Sequence, residues 1–148
     1  MKSQGSRRGS QRGSQMMELG LALIPFFAIL FLLMDLCLVV FLKSTFQHAV
    51  REGVRYAVTR SNFDGMTSEE SVRAVVRYFA LNTIRAADAT SKIQIRYFKR
   101  DTLVEVYQND PGNLVAVSVE NYSWVPLAPL FRSGAPVRIS ARSADLIE

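Results

Sequence analysis

The chain has 148 residues, 49% of them hydrophobic, and a formal net charge of +5, which leaves room for one small domain and not for two. Four of its 18 basic residues (Lys2, Arg7, Arg8 and Arg12) lie in the first 13 positions; without that acid-free segment 14 basic residues face 13 acidic ones, which argues against a basic nucleic-acid-binding surface. A single cysteine, Cys37, and a single histidine, His48, exclude an intramolecular disulfide framework and a Cys/His metal site assembled within one chain.

In chain order, residues 1–13 read as a basic leader. Residues 14–60 read as a membrane-spanning helix that continues into a helical stalk. Leu19 to Leu42 is an apolar run of 24 residues whose only charge is Asp35. As a helix it rises about 36 Å, enough to cross a hydrocarbon layer of about 30 Å with some tilt. The run has no polar face, unlike a helix buried in a soluble core. It is too long for a cleaved secretory signal and is followed by Lys43-Ser44-Thr45-Phe46, with no small-x-small site, so the helix is expected to stay attached. Basic residues stand on both sides of the run, and their count is close to a tie. The short acid-free leader favours a cytoplasmic N-terminus, because Glu52 interrupts the basic residues beyond the span.

At the start of the run the sequence reads Arg12-Gly13-Ser14-Gln15-Met16-Met17-Glu18-Leu19. A basic leader, a glycine, four residues, a glutamate and an apolar stretch together resemble a type IV prepilin processing site. That resemblance implies a prepilin peptidase cutting between Gly13 and Ser14, with Glu18 as the fifth residue of the mature chain. Glycine suits such a cut because it lets an extended backbone enter a tight site. Gly5 and Gly9 have no acid five residues on. A carboxylate at the edge of hydrocarbon is costly without a partner, and the new Ser14 ammonium of a neighbouring subunit would supply one. The alternative is a glutamate at headgroup level, favoured there by the helix dipole. Pro25 removes the hydrogen bond to the Leu21 carbonyl, so a kink is expected unless the membrane helix absorbs it. Asp35 either meets a protein partner inside the membrane or reaches the outer headgroups, charged or protonated.

Beyond the span, Arg51-Glu52-Gly53-Val54-Arg55-Tyr56 continues the helix, with Arg51 and Arg55 four apart on one face, as are Glu52 and Tyr56. Gly53 costs up to about 1 kcal/mol in a helix interior, which a close packing contact would explain. This segment is either a docking surface for a neighbouring subunit or a solvated stalk face. Met34-Asp35-Leu36 followed by Gln47-His48-Ala49-Val50-Arg51-Glu52-Gly53-Val54-Arg55-Tyr56-Ala57 resembles the TadE-like family, with Val50 and Val54 where its pattern has alanines. The resemblance runs from Arg12 to about Thr59, and weakly through Leu114 to Leu146. It implies a minor pilin-like subunit, a pseudopilin, of a tight-adherence (Flp) pilus. Such a subunit would sit as a single-pass protein in the bacterial inner membrane, with its C-terminal domain extracytoplasmic. Its partners would be the peptidase, other pilins and the assembly platform.

Residues 61–148 read as an α+β domain, pilin-like in its expected form, with an amphipathic helix packed on an antiparallel sheet of about four strands. Ser61 to Gly65 is a turn, and Thr67-Ser68-Glu69-Glu70 starts a helix whose apolar face is Val72, Val75, Val76, Phe79, Ala80 and Ile84. Strands are expected at Ile93 to Phe98, Leu103 to Tyr107, Val115 to Trp124 and Val137 to Asp145, with a turn at Asp110-Pro111-Gly112-Asn113. Between the last two strands, Trp124, Leu127, Leu130 and Phe131 form an apolar loop to be covered by the domain, by lipid headgroups or by a partner. There is no Gly-rich phosphate loop, no G-x-S-x-G turn and no paired metal ligands. The chain is therefore read as an assembly part and not an enzyme, with no cofactor and no small-molecule substrate. Two alternatives stay open: an unprocessed single-span scaffold or adaptor of a pilus or secretion complex, and a tethered domain that binds an extracellular ligand.

Overall fold

The computed structural model describes residues 8–59, 63–107, 110–126 and 136–147, with side chains of the first helix described from residue 13 onward. Helix α1 runs from Arg8 to Val58 without interruption, Pro25 included. Its first half is largely open: Leu21, Ile24, Ile29 and Leu33 are all exposed, and this is the one helix among the described residues long and apolar enough to cross a membrane. From Leu42 onward the pattern changes. Leu42, Phe46, Ala49, Val50, Val54 and Ala57 are buried at helical spacing, so one stripe of the stalk belongs to the domain's core.

That stripe lies on a four-stranded antiparallel sheet in the order β2-β1-β3-β4. The strands are β1 (Ile93–Lys99), β2 (Glu105–Val106), β3 (Asn113–Trp124) and β4 (Val137–Leu146). Helix α1 covers β3 and β4, while α2 (Ser68–Phe79) lies beside α1 and touches β1. A 3-10 turn at Ala86–Asp88 and a one-turn helix α3 (Ala89–Lys92) lead into β1. The α+β class is thus as expected, with most of the sheet's inner face taken by the continuation of the membrane helix.

Two departures from simple strand reading have clear causes. Leu103 adopts φ 51° and its N–H bonds back to the Lys99 carbonyl at 2.8 Å, so the strand expected from Leu103 pairs only at Glu105 and Val106. In β3 the register with β4 slips by one residue between Val119 and Tyr122, where Asn121 takes φ 56°. Strict alternation from Val115, Val117 and Val119 would point residues 121 and 123 inward. The bulge reverses that parity and turns Tyr122 and Trp124 toward the core instead. Tyr122 then meets Phe46 edge to face, with ring centroids 4.9 Å apart.

The start of α2 is a complete capping box. The Glu70 N–H donates to the Thr67 hydroxyl at 3.3 Å, and the Thr67 N–H donates to the Glu70 carboxylate at 3.0 Å. The Thr67 hydroxyl also donates to that carboxylate, at 2.8 Å. The backbone N–H of Thr67, and then its hydroxyl, hold the Glu70 pKa below the usual glutamate range. Because the folded value is depressed, the stabilisation is present above the ordinary glutamate pKa and disappears as pH falls through the lowered folded one. Substituting Thr67→Val removes the hydroxyl and keeps the backbone donor. An NMR titration of the side-chain carboxyl should then find the Glu70 pKa raised part-way toward its ordinary value; an unchanged midpoint would contradict the assigned contact.

Candidate functional site

The residues singled out at the membrane boundary all lie on α1. Gly13 and Ser14 are within its helical span, and a Cβ built on Gly13 meets nothing within 4 Å. Ser14 and Glu18 are one turn apart and both exposed, so they share a face of the helix. No domain residue approaches closely enough to bury either one. What this end of α1 offers is an open carboxylate at the foot of an unpacked apolar rod.

Asp35 is different. It is 6% exposed, whereas its neighbours Met34 and Leu36 are 48% and 57% exposed. These values are for a single chain, so its own polypeptide covers Asp35, and the residue does have an interaction partner. Cys37, two residues on, is exposed.

Further along, α1 presents a cationic face opposite its core stripe. Lys43, Ser44, Gln47, His48 and Arg51 line an open surface groove, and Arg55 continues the exposed side. Among the described residues the ion pairs are Arg73–Glu69, Lys92–Asp88 and Arg96–Glu105; Arg51 and Arg55 enter none of them. His48 spends its ring on an edge-on contact with Phe79, with centroids 5.5 Å apart. Gln47 donates from Nε2 to the Arg142 carbonyl at 3.1 Å, tying α1 to β4.

The five residues expected to dock a neighbouring subunit therefore divide. Arg51 and Arg55 are exposed, Glu52 and Tyr56 are half-buried, and Gly53 is buried. Tyr56 stacks on Phe63 at 5.5 Å, which fastens the chain just after α1 back onto it. Gly53 faces inward, where an added Cβ would run into Cγ2 of Val76 and approach Val117 and Val72 at 3.7 and 3.8 Å. The close contact anticipated for this glycine is thus inside the chain, between α1 and α2. Ala49, Gly53 and Ala57 recur every four residues on that side of α1, and their small size is what lets α2 come so near.

Trp124, expected both to end a strand and to open the apolar loop, is the last residue of β3 and packs against the core. Its indole N–H is buried without a hydrogen-bond partner among the described residues. Leu127, Leu130 and Phe131 lie outside the described residues. Among those described, no group of three or more His, Cys, Asp or Glu is placed to hold a metal ion.

Residues 13–55 match the family model of TadE-like protein. No curated protein and no solved structure matches the chain. The matched segment begins at Gly13 and contains Glu18, Asp35 and the Arg51-to-Arg55 turn of α1. It stops before α2 and the sheet, so the weaker resemblance drawn for Leu114 to Leu146 lies beyond it. Reading the stalk for its charges overlooked its core stripe, although the signal was present as apolar or small residues at 42, 46, 49, 50, 53, 54 and 57.

The Gly53 contact has a measurable consequence. Gly53→Ala gains about 1 kcal/mol of helix propensity, but places a methyl group against the stiff side chain of Val76, an overpacking that costs roughly 1–3 kcal/mol. Urea unfolding of the full chain in detergent micelles, followed by Trp124 fluorescence, should record a net loss of stability. Adding Val76→Ala should leave the double variant more stable than the sum of the two single losses. Strict additivity would show that the two positions do not touch.

Proposed function

We propose that this chain is a pilin-like minor subunit of a tight-adherence pilus, anchored by α1 in the bacterial inner membrane with its α+β domain on the extracytoplasmic side. The observation that carries the reading is the conjunction of Gly13, four residues and an exposed Glu18 at the foot of an unpacked apolar helix, within the segment that matches the TadE-like family model. A prepilin peptidase removes residues 1–13, and the Ser14 ammonium of one subunit neutralises Glu18 of the next. The penalty on an unpaired carboxylate in lipid then selects subunits that are in register. Arg51 and Arg55, exposed on the outer side of α1 and in none of the ion pairs among the described residues, dock an acidic surface of a neighbouring pilin or of the assembly platform.

One observation favours a second reading. Gly13 and Ser14 are helical, while a peptidase takes its substrate extended. An uncut leader on the same helix would make the protein a single-span scaffold of the pilus or secretion machinery.

N-terminal sequencing after co-expression with the cognate peptidase separates the two. A mature chain beginning at Ser14 supports the pilin reading, and an intact Met1 supports the scaffold. Gly13→Leu should abolish the cleavage; a chain still cut there would move the site elsewhere. Glu18→Ala should be processed much as the native chain is, yet fail to co-purify with assembled pilins. Normal assembly of that variant would remove the pairing from the mechanism.

A further inference from the structure

We infer that the membrane-facing end of the α+β domain is a binding surface for anionic phospholipid headgroups, with Lys43 and Arg138 as its phosphate contacts. The inference goes beyond the proposed function and rests on one part of it, that α1 spans the bilayer.

The domain has a definite end toward the membrane. Tyr122 meets Phe46 edge to face, Lys92 stands 5.4 Å from the centroid of the Tyr122 ring, and Phe79 meets His48. The end of β3, the start of β1 and the end of α2 therefore lie beside the same turn of α1. The apolar run finishes at Leu42, four residues or about 6 Å nearer the lipid than Phe46. Headgroups add about 5–7 Å on each side of the hydrocarbon. Parts of the domain below the level of Phe46 and Tyr122 therefore face headgroups.

Two exposed cations from separate elements stand in that zone. Lys43 directly follows the apolar run and is exposed. Helical side chains lean toward the helix N-terminus, which here is toward the bilayer. Arg138, also exposed, pairs with Ser123 one residue beyond the Tyr122–Ile139 pair. One strand residue is about 3 Å, which sets Arg138 close to the height of residues 43 and 44. The Gln47 bond to the Arg142 carbonyl ties α1 to β4 and so fixes the two cations relative to each other. Neither enters an ion pair among the described residues.

The arrangement fits a bilayer better than an acidic protein patch. Ile139 is buried against the core, so Arg138 leaves from the opposite face of the sheet, away from α1. One acidic patch would have to wrap both sides of the sheet to meet Lys43 and Arg138 together. Lipid surrounds the span on every side, and its phosphates ask only that the cations share a height. Of the domain's acids near this end, Asp88 is held by Lys92 at 3.7 Å and Glu120 accepts from the Ser118 hydroxyl at 2.9 Å. Glu70, Asp101 and Asp145 stand toward the other end, at the start of α2, after β1 and opposite Val115. Each cation at an anionic surface enriches it by about fivefold.

Trp124, the single tryptophan of the chain, pairs with Val137 beside Arg138 and reports on this surface without a label. The experiment places the full-length, unprocessed chain in phosphatidylcholine vesicles that hold a trace of nitroxide lipid. The nitroxide sits high on the acyl chain, under either a phosphatidylglycerol or a phosphatidylcholine headgroup. It quenches only at short range and is present in both leaflets, so orientation does not matter. The phosphatidylglycerol probe should quench Trp124 about fivefold or more better than the phosphatidylcholine probe. That preference should vanish in about 0.5 M salt, a test that leaves every side chain native. Lys43→Gln with Arg138→Gln should bring the ratio to about one, whereas Lys43→Arg with Arg138→Lys should keep it. Replacing the leader arginines Arg7, Arg8 and Arg12 by glutamine should change nothing. A ratio near one in the native chain, or a preference that survives the paired glutamines or is lost with the leader, overturns the inference. So does a Trp124 that neither probe quenches, which would assign this end of the domain to a protein partner. Resistance of the chain to alkaline extraction from the vesicles checks the span separately. None of these outcomes depends on cleavage of the Gly13–Ser14 bond.

Discussion

The structure depends on one helix meeting two solvents. Helix α1 is continuous from Arg8 to Val58, and except at Pro25 its backbone hydrogen bonds run along its own axis, as a helix that leaves lipid without a break requires. Only the side-chain pattern records the transition. Up to Met34 apolar residues stand on every face; from Leu42 they withdraw to a single stripe and cations take the opposite side. A helix apolar all round finds its partner in acyl chains, and one apolar on a stripe finds it in a sheet. The anchor and the core of the domain are therefore successive parts of one element.

This continuity constrains the rest of the domain. Because α1 occupies the inner face of β3 and β4, helix α2 is displaced to its flank and meets the sheet at β1. It can sit so close because residue 53 is glycine. With any side chain there, Val76 would have to move, and Val76 is itself fully buried. Arg51, Glu52 and Arg55 lie on neighbouring positions of the same turn, so the exposed cations and a tight internal contact are coupled by one backbone segment.

Much of this was legible from residue types whose physics is local. The unbroken apolar run, the Thr67-to-Glu70 cap and the turn at Asp110 to Asn113, where Gly112 takes φ 88° and the Asn113 N–H reaches the Asp110 carbonyl, each carry their own signal. The bulge in β3 does not: Asn121 is not a glycine, and its left-handed backbone is recognisable only once Tyr122 is seen against Phe46. Leu103 is a similar case, a strand-forming side chain on a backbone that turns. Asp35 was recognised as an unusual acid, but whether lipid, a neighbour or its own chain would cover it is a question about distant sequence. The candidate site at Gly13 and Glu18 is legible for the opposite reason. It is built from adjacent residues on an unpacked helix, and folding adds nothing to it.

The first two acids of α1, Glu18 and Asp35, differ in their cover. Asp35 is covered within the single chain and has an interaction partner there. Glu18 is exposed, and among the described residues it enters no ion pair. An ionised acid at the middle of a membrane helix costs on the order of 3 kcal/mol, and less near the boundary, so an isolated subunit can persist in the bilayer with Glu18 unpaired. The penalty is large enough to favour pairing and small enough not to prevent insertion. An uncovered carboxylate at the foot of the apolar helix suits the proposed subunit, which would reside in the membrane first and assemble later. One at the bilayer centre would hinder residence, and one among the headgroups would give assembly nothing to relieve.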